Sequence, residues 1–172
     1  MNVFLVGPMG SGKSAVGRQL AQRLALEFID SDAEIEARTG VDIAYIFERE
    51  GEAGFRSREA EVIDAISRRD GVLVSTGGGA ILDAGTRERL RTRGRVVYLQ
   101  TSVDQQLART RRSNDRPLLN NDDPRGTLER LFEQRAPLYT EVAEIVVDTD
   151  GRKVKAVVDQ ICHQLGIDGV EP

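Results

Sequence analysis

Two rhythms of apolar residues alternate along this chain. Short runs of strand type occur at Val3 to Val6, Glu27 to Asp30, Gly71 to Ser75, Arg95 to Leu99 and Glu144 to Asp148. Between them, apolar positions return at the spacing of a helical face. Val16, Leu20, Leu24 and Ala25 do so within Ala15 to Leu26, Leu128, Leu131 and Phe132 within Thr127 to Tyr139, and Val154, Val157, Val158, Ile161 and Leu165 within Val154 to Leu165. Further helices are expected at Asp32 to Thr39, within Val41 to Arg69, near Asp83 to Arg93 and at Val103 to Arg112. The order is β-α repeated, which predicts an α/β fold of three layers: a five-stranded parallel sheet with helices on both faces. Right-handed crossovers leave few other arrangements.

Punctuation refines these boundaries. Ser31 is placed to cap the second helix, with Glu34 at the third helical position in a capping-box pattern, and Gly40 ends that helix. Gly51-Glu52-Ala53-Gly54 loosens the long segment after Val41, and Phe55-Arg56 opens its second piece. From Ser113 to Pro124 the chain is polar and bounded by prolines, either a disordered connection or a lid. Arg116 within it, preceded by Arg109, Arg111 and Arg112, favours a lid at about 112–124 that closes over phosphates.

Composition narrows the class. At 172 residues, with no linker or repeat, residues 1–172 form a single domain with a core mainly of Val, Ile, Leu and Ala. The net charge of −4, with arginines dispersed among acids, gives no electrostatic reason to expect a nucleic acid. Cys162 is the one cysteine, so there is no internal disulfide, and Cys162 and His163 carry no metal-site pattern. No apolar stretch is long enough for a membrane span or a signal peptide. The expectation is a cytoplasmic protein with neither membrane nor nucleic-acid partners.

The chemistry centres on Gly7-Pro8-Met9-Gly10-Ser11-Gly12-Lys13-Ser14, a full match to G-x-x-x-x-G-K-[ST] lying between the first strand and the first helix. Gly7, Gly10 and Gly12 allow the backbone to wrap phosphate oxygens, Lys13 supplies a point charge for β- and γ-phosphates, and the Ser14 hydroxyl is placed for Mg²⁺. The loop N–H groups and the positive end of the helix dipole converge on the same anion. The plainer account is a glycine-rich turn with Lys13 solvated.

Other positions admit two accounts each. Asp30 and Asp32 stand at the C-terminal end of a strand, where open α/β sheets bind ligands, although Asp32 also suits an acidic first turn. Arg56 and Glu59, at i and i+3, are a surface ion pair or a carboxylate clamp whose fork Glu59 orients. Thr76-Gly77-Gly78-Gly79-Ala80 is a flexible turn or a place where a ligand approaches the backbone.

Together these features resemble the shikimate kinases, a family of P-loop kinases related to nucleoside monophosphate kinases. The likeness rests on Gly7 to Ser14, Asp30-Ser31-Asp32, Phe55-Arg56 with Glu59, Thr76 to Gly79, Arg116-Pro117-Leu118-Leu119, and Arg135 followed by Leu138-Tyr139, in the family's order over essentially the whole chain. The resemblance implies transfer of the γ-phosphoryl of ATP to the 3-hydroxyl of shikimate, with one Mg²⁺ accompanying ATP, and a monomer. It implies Lys13, Asp32 and Arg116 as catalytic residues, Asp32 binding the acceptor hydroxyls and accepting the proton. Gly10, Ser11, Gly12, Lys13, Ser14, Ala15, Arg109, Arg116 and Arg152 would hold the nucleotide, with Arg109 and Arg152 near the adenine. Arg56 and Arg135 would grip the acceptor carboxylate and Gly78 and Gly79 offer N–H groups. Ser14 would ligate the metal and Asp30 act on it through water. Ala15 departs from the family, standing where many members have Thr, and the Arg152-Lys153 stretch is of variable type.

Three rivals remain. A kinase of another polyol acid such as gluconate would share the nucleotide half. Asp148-Thr149-Asp150-Gly151 matches the D-x-x-G element of GTP-dependent switches, without an Asn-Lys-x-Asp partner. A phosphate-binding module without catalysis would lack the acceptor set.

Overall fold

The computed structural model describes residues 1–110, 119 and 121–167. Five strands, β1 (Val3–Val6), β2 (Glu27–Asp30), β3 (Val72–Ser75), β4 (Arg95–Gln100) and β5 (Ile145–Asp148), form one sheet in the order β2-β3-β1-β4-β5, and every pairing is parallel. Central β1 and β3 are buried at every position, which is why their sequences are continuous apolar runs. Edge strand β5 instead alternates, with Ile145 and Val147 inward and Val146 exposed.

The strand order explains the layers. The chain steps from β1 outward to β2, returns through β3 and crosses β1 to reach β4 and β5. Right-handed connections in opposite directions then send helices to opposite faces. Helices α1 (Lys13–Arg23) and α7 (Val154–Gln164) cover one face, packing Val16, Leu20, Val157, Val158 and Ile161 on Leu5, Leu73, Val97 and Leu99. On the other face lie α3 (Ile43–Ser67), α4 (Ala84–Arg93) and α6 (Pro124–Val142), whose Ile63, Ile66, Leu90, Tyr139 and Val142 meet Phe4, Val74, Val96 and Tyr98. Helix α2 (Ser31–Thr39) packs beside α3, and α5 (Val103–Thr110) beside α6. Cys162 is a buried core residue of α7.

Several boundaries differ from the sequence reading. Asp30, not Ser31, caps α2: its Oδ1 accepts from the N–H groups of Asp32 (2.9 Å) and Ala33 (3.1 Å). Ser31 is thereby the first helical residue, and its hydroxyl accepts from Gly77 N–H at 3.2 Å, a tertiary partner that local pattern could not supply. The expected break in the long helix is present, since Gly51 (φ 71°, ψ −176°) is non-helical and two helical pieces meet there, but the second piece starts at the break, so Phe55 and Arg56 sit one turn inside it. Asp123 caps α6 at Pro124, three residues before the expected start, and the helix continues through Pro137 to Val142. Leu82 closes a short 3-10 turn, Ala80–Leu82, that the periodicity did not signal.

Candidate active site

The C-terminal ends of β1, β3 and β2 lie side by side, and the loops leaving them build one cleft of about 390 Å³. Its walls include Gly10, Gly12, Lys13, Ser14 and Ala15 from the glycine loop, Asp30 and Asp32 from the start of α2, Thr76 to Gly78, and Arg109. Gly12 takes φ 87° where the loop turns into α1, a conformation open to glycine and strained for a residue with a Cβ. Lys13 is nine-tenths buried, and its ammonium donates to the carbonyls of Gly7 (2.7 Å) and Pro8 (2.8 Å) and to Ser11 Oγ (3.4 Å). Ser11 is thus buried beneath the loop and shapes it. Ser14 Oγ donates to Asp30 Oδ2 at 3.2 Å, while the other Asp30 oxygen caps α2. One carboxylate therefore ties the first turn of α1 to the start of α2.

Helix α5 holds the loop from outside. Gln106 Nε2 donates to Met9 O (2.9 Å) and Arg109 Nη1 to Gly10 O (2.8 Å). The sequence reading selected Arg109 and missed Gln106, whose signal was a polar residue on the same face as Arg109, three positions earlier. Arg152 stands apart from the cleft wall, bound to the carbonyls of Asp148 (3.1 Å) and Ala156 (3.2 Å) and to Gln160. Arg116 and most of segment 112–124 lie outside the described residues.

The glycine turn after β3 is a hub, because each of its residues meets a different element. Thr76 bonds back to Leu5 O through both its N–H (3.1 Å) and its hydroxyl (2.9 Å). Gly77 N–H reaches Ser31 on α2, and Gly78 O accepts from the Tyr139 hydroxyl on α6. Gly79 lies against the Arg56 guanidinium of α3 so closely that a Cβ there would fall 2.3 Å from Arg56 Nη2. A Cβ on Gly77 would lie 2.7 Å from Glu59 Oε2 and 3.0 Å from Asp32 Oδ1, and one on Gly78 3.5 Å from Arg135 Nη1. At Gly77 and Gly79 a Cβ would displace the Glu59 carboxylate or the Arg56 guanidinium, whereas at Gly78 it would make ordinary contacts. Asp32, Arg56, Glu59 and Arg135, dispersed over more than a hundred positions, thus surround one turn.

The electrostatics are those of a partly dehydrated polar pocket. Glu59 Oε1 accepts from Arg56 Nη1 at 2.8 Å, and Arg56 Nη2 also reaches Glu52 at 3.4 Å. Glu59 Oε2, Arg56 Nε and Arg135 Nε are buried without a hydrogen-bond partner among the described residues. Buried polar atoms in that condition favour a polar ligand that would satisfy such groups. Burial pulls the Arg135 guanidinium below its ordinary value and pushes the Tyr139 hydroxyl well up, so Tyr139 keeps its proton and can donate. Burial also raises the Glu59 carboxyl from 4.5 to about 7, opposed by Arg56 and assisted by Asp32.

That shift has a measurable sign. The folded protein holds the Glu59 proton more tightly than the unfolded chain, so this group's contribution to stability is full below about pH 4.5 and lost as pH rises to about 7. A Glu59→Gln variant does not titrate. Urea-unfolding free energies compared at about pH 5 and about pH 8 should shift in the variant's favour, relative to the parent, by up to about 3 kcal/mol at the higher pH. An unchanged difference across that range would mean that Glu59 ionises as an ordinary surface carboxyl.

The Asp148-Thr149-Asp150-Gly151 segment has a structural account. Thr149 bonds to Gln100 O through its N–H (2.9 Å) and hydroxyl (3.1 Å), and Asp150 Oδ1 accepts from Thr101 Oγ1 (2.7 Å) and Ser102 N–H (3.0 Å). These bonds pin the end of β5 to the end of β4.

Comparison with known proteins agrees with this geometry. The family model described as shikimate kinase matches residues 9–166. A shikimate kinase of Shewanella amazonensis is 56% identical over 165 residues, covering 96% of each chain, and one of Alteromonas mediterranea is 55% identical over 166 residues, covering 96% of this chain and 97% of its own. Among solved structures, shikimate kinase from Acinetobacter baumannii in complex with shikimate superposes with a TM-score of 0.94 at 46% identity, covering 99% of this chain and 95% of that one. A phosphate loop facing a carboxylate-and-guanidinium pocket on a 2-3-1-4-5 parallel sheet, matched along nearly the whole chain, has one reading: this chain belongs to the shikimate kinase family.

Proposed function

We propose that the protein transfers the γ-phosphoryl group of ATP to the 3-hydroxyl of shikimate, giving shikimate 3-phosphate and ADP on the route to chorismate and the aromatic amino acids. The observation that carries this reading is the single cleft in which the loop Gly10 to Ser14 faces Asp32 and Gly78, with Arg56 and Arg135 packed on the same glycine turn. The two guanidinium groups match a carboxylate, Asp32 matches ring hydroxyls, and the loop amides and Lys13 match phosphates.

In this mechanism Arg56 and Arg135 hold the acceptor carboxylate, with Glu59 fixing the Arg56 fork, and Gly78 and Gly79 direct backbone N–H groups at the acceptor. Asp32 accepts the proton of the 3-hydroxyl as its oxygen bonds to the γ-phosphorus, and the bond from that phosphorus to the bridging oxygen of ADP breaks. Phosphoryl transfer needs little covalent participation by protein, so positioning and charge neutralisation provide most of the rate. Ser14 and Asp30, hard oxygen donors 3.2 Å apart, fit Mg²⁺, which usually takes few protein ligands and completes its shell with water and phosphate oxygens. When bound with ATP, that ion would neutralise charge on the β- and γ-phosphates.

Gly10, Ser11, Gly12 and Ala15 complete the nucleotide loop, and Arg109 and Arg152 lie toward the adenine in this reading. Residues 1–172 act as one kinase domain in this reading, and Arg116, expected to meet the phosphates, lies outside the described residues. No helix among the described residues is long and apolar enough to cross a membrane. We take the enzyme to be a cytoplasmic monomer whose partners are ATP and shikimate, with no nucleic acid or membrane.

ADP release from Mg-ATP tests the proposal, with shikimate, gluconate and a nucleoside monophosphate as acceptors. Turnover is expected with shikimate only. ADP formation that depends on gluconate instead would preserve the nucleotide half and reassign Asp32, Arg56 and Arg135.

A further inference from the structure

Tyr139 meets the glycine turn from α6 with a polar atom. It is 2% exposed, and its ring stacks on Tyr98 of β4 at a centroid distance of 4.9 Å and an interplanar angle of 30°. Its hydroxyl donates to Gly78 O. Arg135, one helical turn earlier on α6, has its guanidinium beside the same turn, its Nη1 3.5 Å from where a Cβ of Gly78 would lie, and its charge opposes the upward shift of the Tyr139 hydroxyl's pKa.

The peptide joining Gly78 and Gly79 is trans, since the described chain contains no cis bond. In a trans peptide the C=O and N–H point in opposite directions. Drawing Gly78 O toward α6 therefore turns Gly79 N–H away from α6. A sequence of three glycines has little intrinsic preference for that orientation, so something outside the turn must select it. The Tyr98 stack fixes where the hydroxyl stands, which makes the selection rigid.

We propose that Tyr139 is a positioning residue for the acceptor: its hydroxyl sets the orientation of the Gly78–Gly79 peptide and of the Arg135 guanidinium together, so that carboxylate clamp and backbone donors are aligned as one unit. The proposal rests on the reading of Arg135 and the glycine turn as the shikimate subsite. Tyr139 also lines a small cavity with Pro8, Met9 and Gln106 beside the nucleotide loop, so the KM for ATP is the control that separates an effect on the acceptor from one on the loop.

The test is a Tyr139→Phe variant, which retains the ring and its stack and removes the hydroxyl alone. The KM for shikimate is expected to rise about tenfold, as for loss of one buried hydrogen bond at a charged site, while the KM for ATP and kcat stay within about twofold and the thermal midpoint falls by only the few degrees one buried hydrogen bond is worth. A purely structural tyrosine would lower the thermal midpoint equally and leave both KM values at the parent's. Arg135→Ala serves as reference and should raise the shikimate KM about a hundredfold. In an Arg135→Ala background, Tyr139→Phe should add less than its effect alone, because both changes act on one unit. If Arg135→Ala raises the shikimate KM and Tyr139→Phe does not, the positioning role fails and the subsite stands. If Arg135→Ala leaves shikimate affinity unchanged, the subsite reading fails and the role of Tyr139 with it.

Discussion

Replacing Lys13 by alanine is expected to lower kcat by about a thousandfold, roughly 4 kcal/mol of transition-state stabilisation. Two losses combine in that figure. The ammonium is the fixed positive charge of the loop, and charge spread over the transferring phosphoryl oxygens grows in the transition state. It is also bonded to the Gly7 and Pro8 carbonyls and to Ser11 Oγ, so its removal relaxes the curvature that aims the loop amides. Lys13→Arg should not restore activity, because a planar guanidinium cannot replace a compact ammonium in so confined a position. Steady-state kinetics with thermal melting as a control would decide the matter. A kcat within tenfold of the parent would remove Lys13 from the catalytic centre.

The second large effect is expected at Asp32. Asp32→Asn keeps the shape of the side chain beside Gly77 but removes its capacity to accept a proton, and kcat should fall by about a hundredfold to a thousandfold. The KM for shikimate should change much less, since the amide still bonds to a hydroxyl. The helix start survives too, because the cap belongs to Asp30. A raised shikimate KM with unchanged kcat would make Asp32 a binding residue and leave the proton to another acceptor.

These two residues also show how unevenly the site was legible in the chain. Lys13 belongs to a motif whose members are adjacent, so spacing alone revealed it. Asp32 could be located at a strand end and as a first-turn acid, and the structure places it in the first turn of α2 and beside Gly77 at once, a proximity the chain did not show. The Ser31 cap was misread for a related reason. Asp30 and Ser31 are both competent caps by type, and the choice followed from Gly77 N–H, a donor forty-six positions away that occupies Ser31. Tyr139 was legible only as part of the family pattern that follows Arg135, and its hydroxyl acquires meaning through a carbonyl on another loop.

By itself the sequence determined the elements, their parallel α/β order and the phosphate loop, because these depend on short-range facts: the period of apolar positions, the conformations open to glycine, and crossovers that must be right-handed. The tertiary structure alone decided which polar groups share a pocket. Folding into the order β2-β3-β1-β4-β5 brings the ends of β1, β2 and β3 together and lays α3 and α6 over them. Arg56, Glu59, Arg135 and Tyr139 then meet around Thr76 to Gly79. Burial there alters the ionisation of Glu59, Arg135 and Tyr139 and leaves polar atoms without a partner among the described residues, a property of the surrounding dielectric and of distances that separate residues along the chain do not encode.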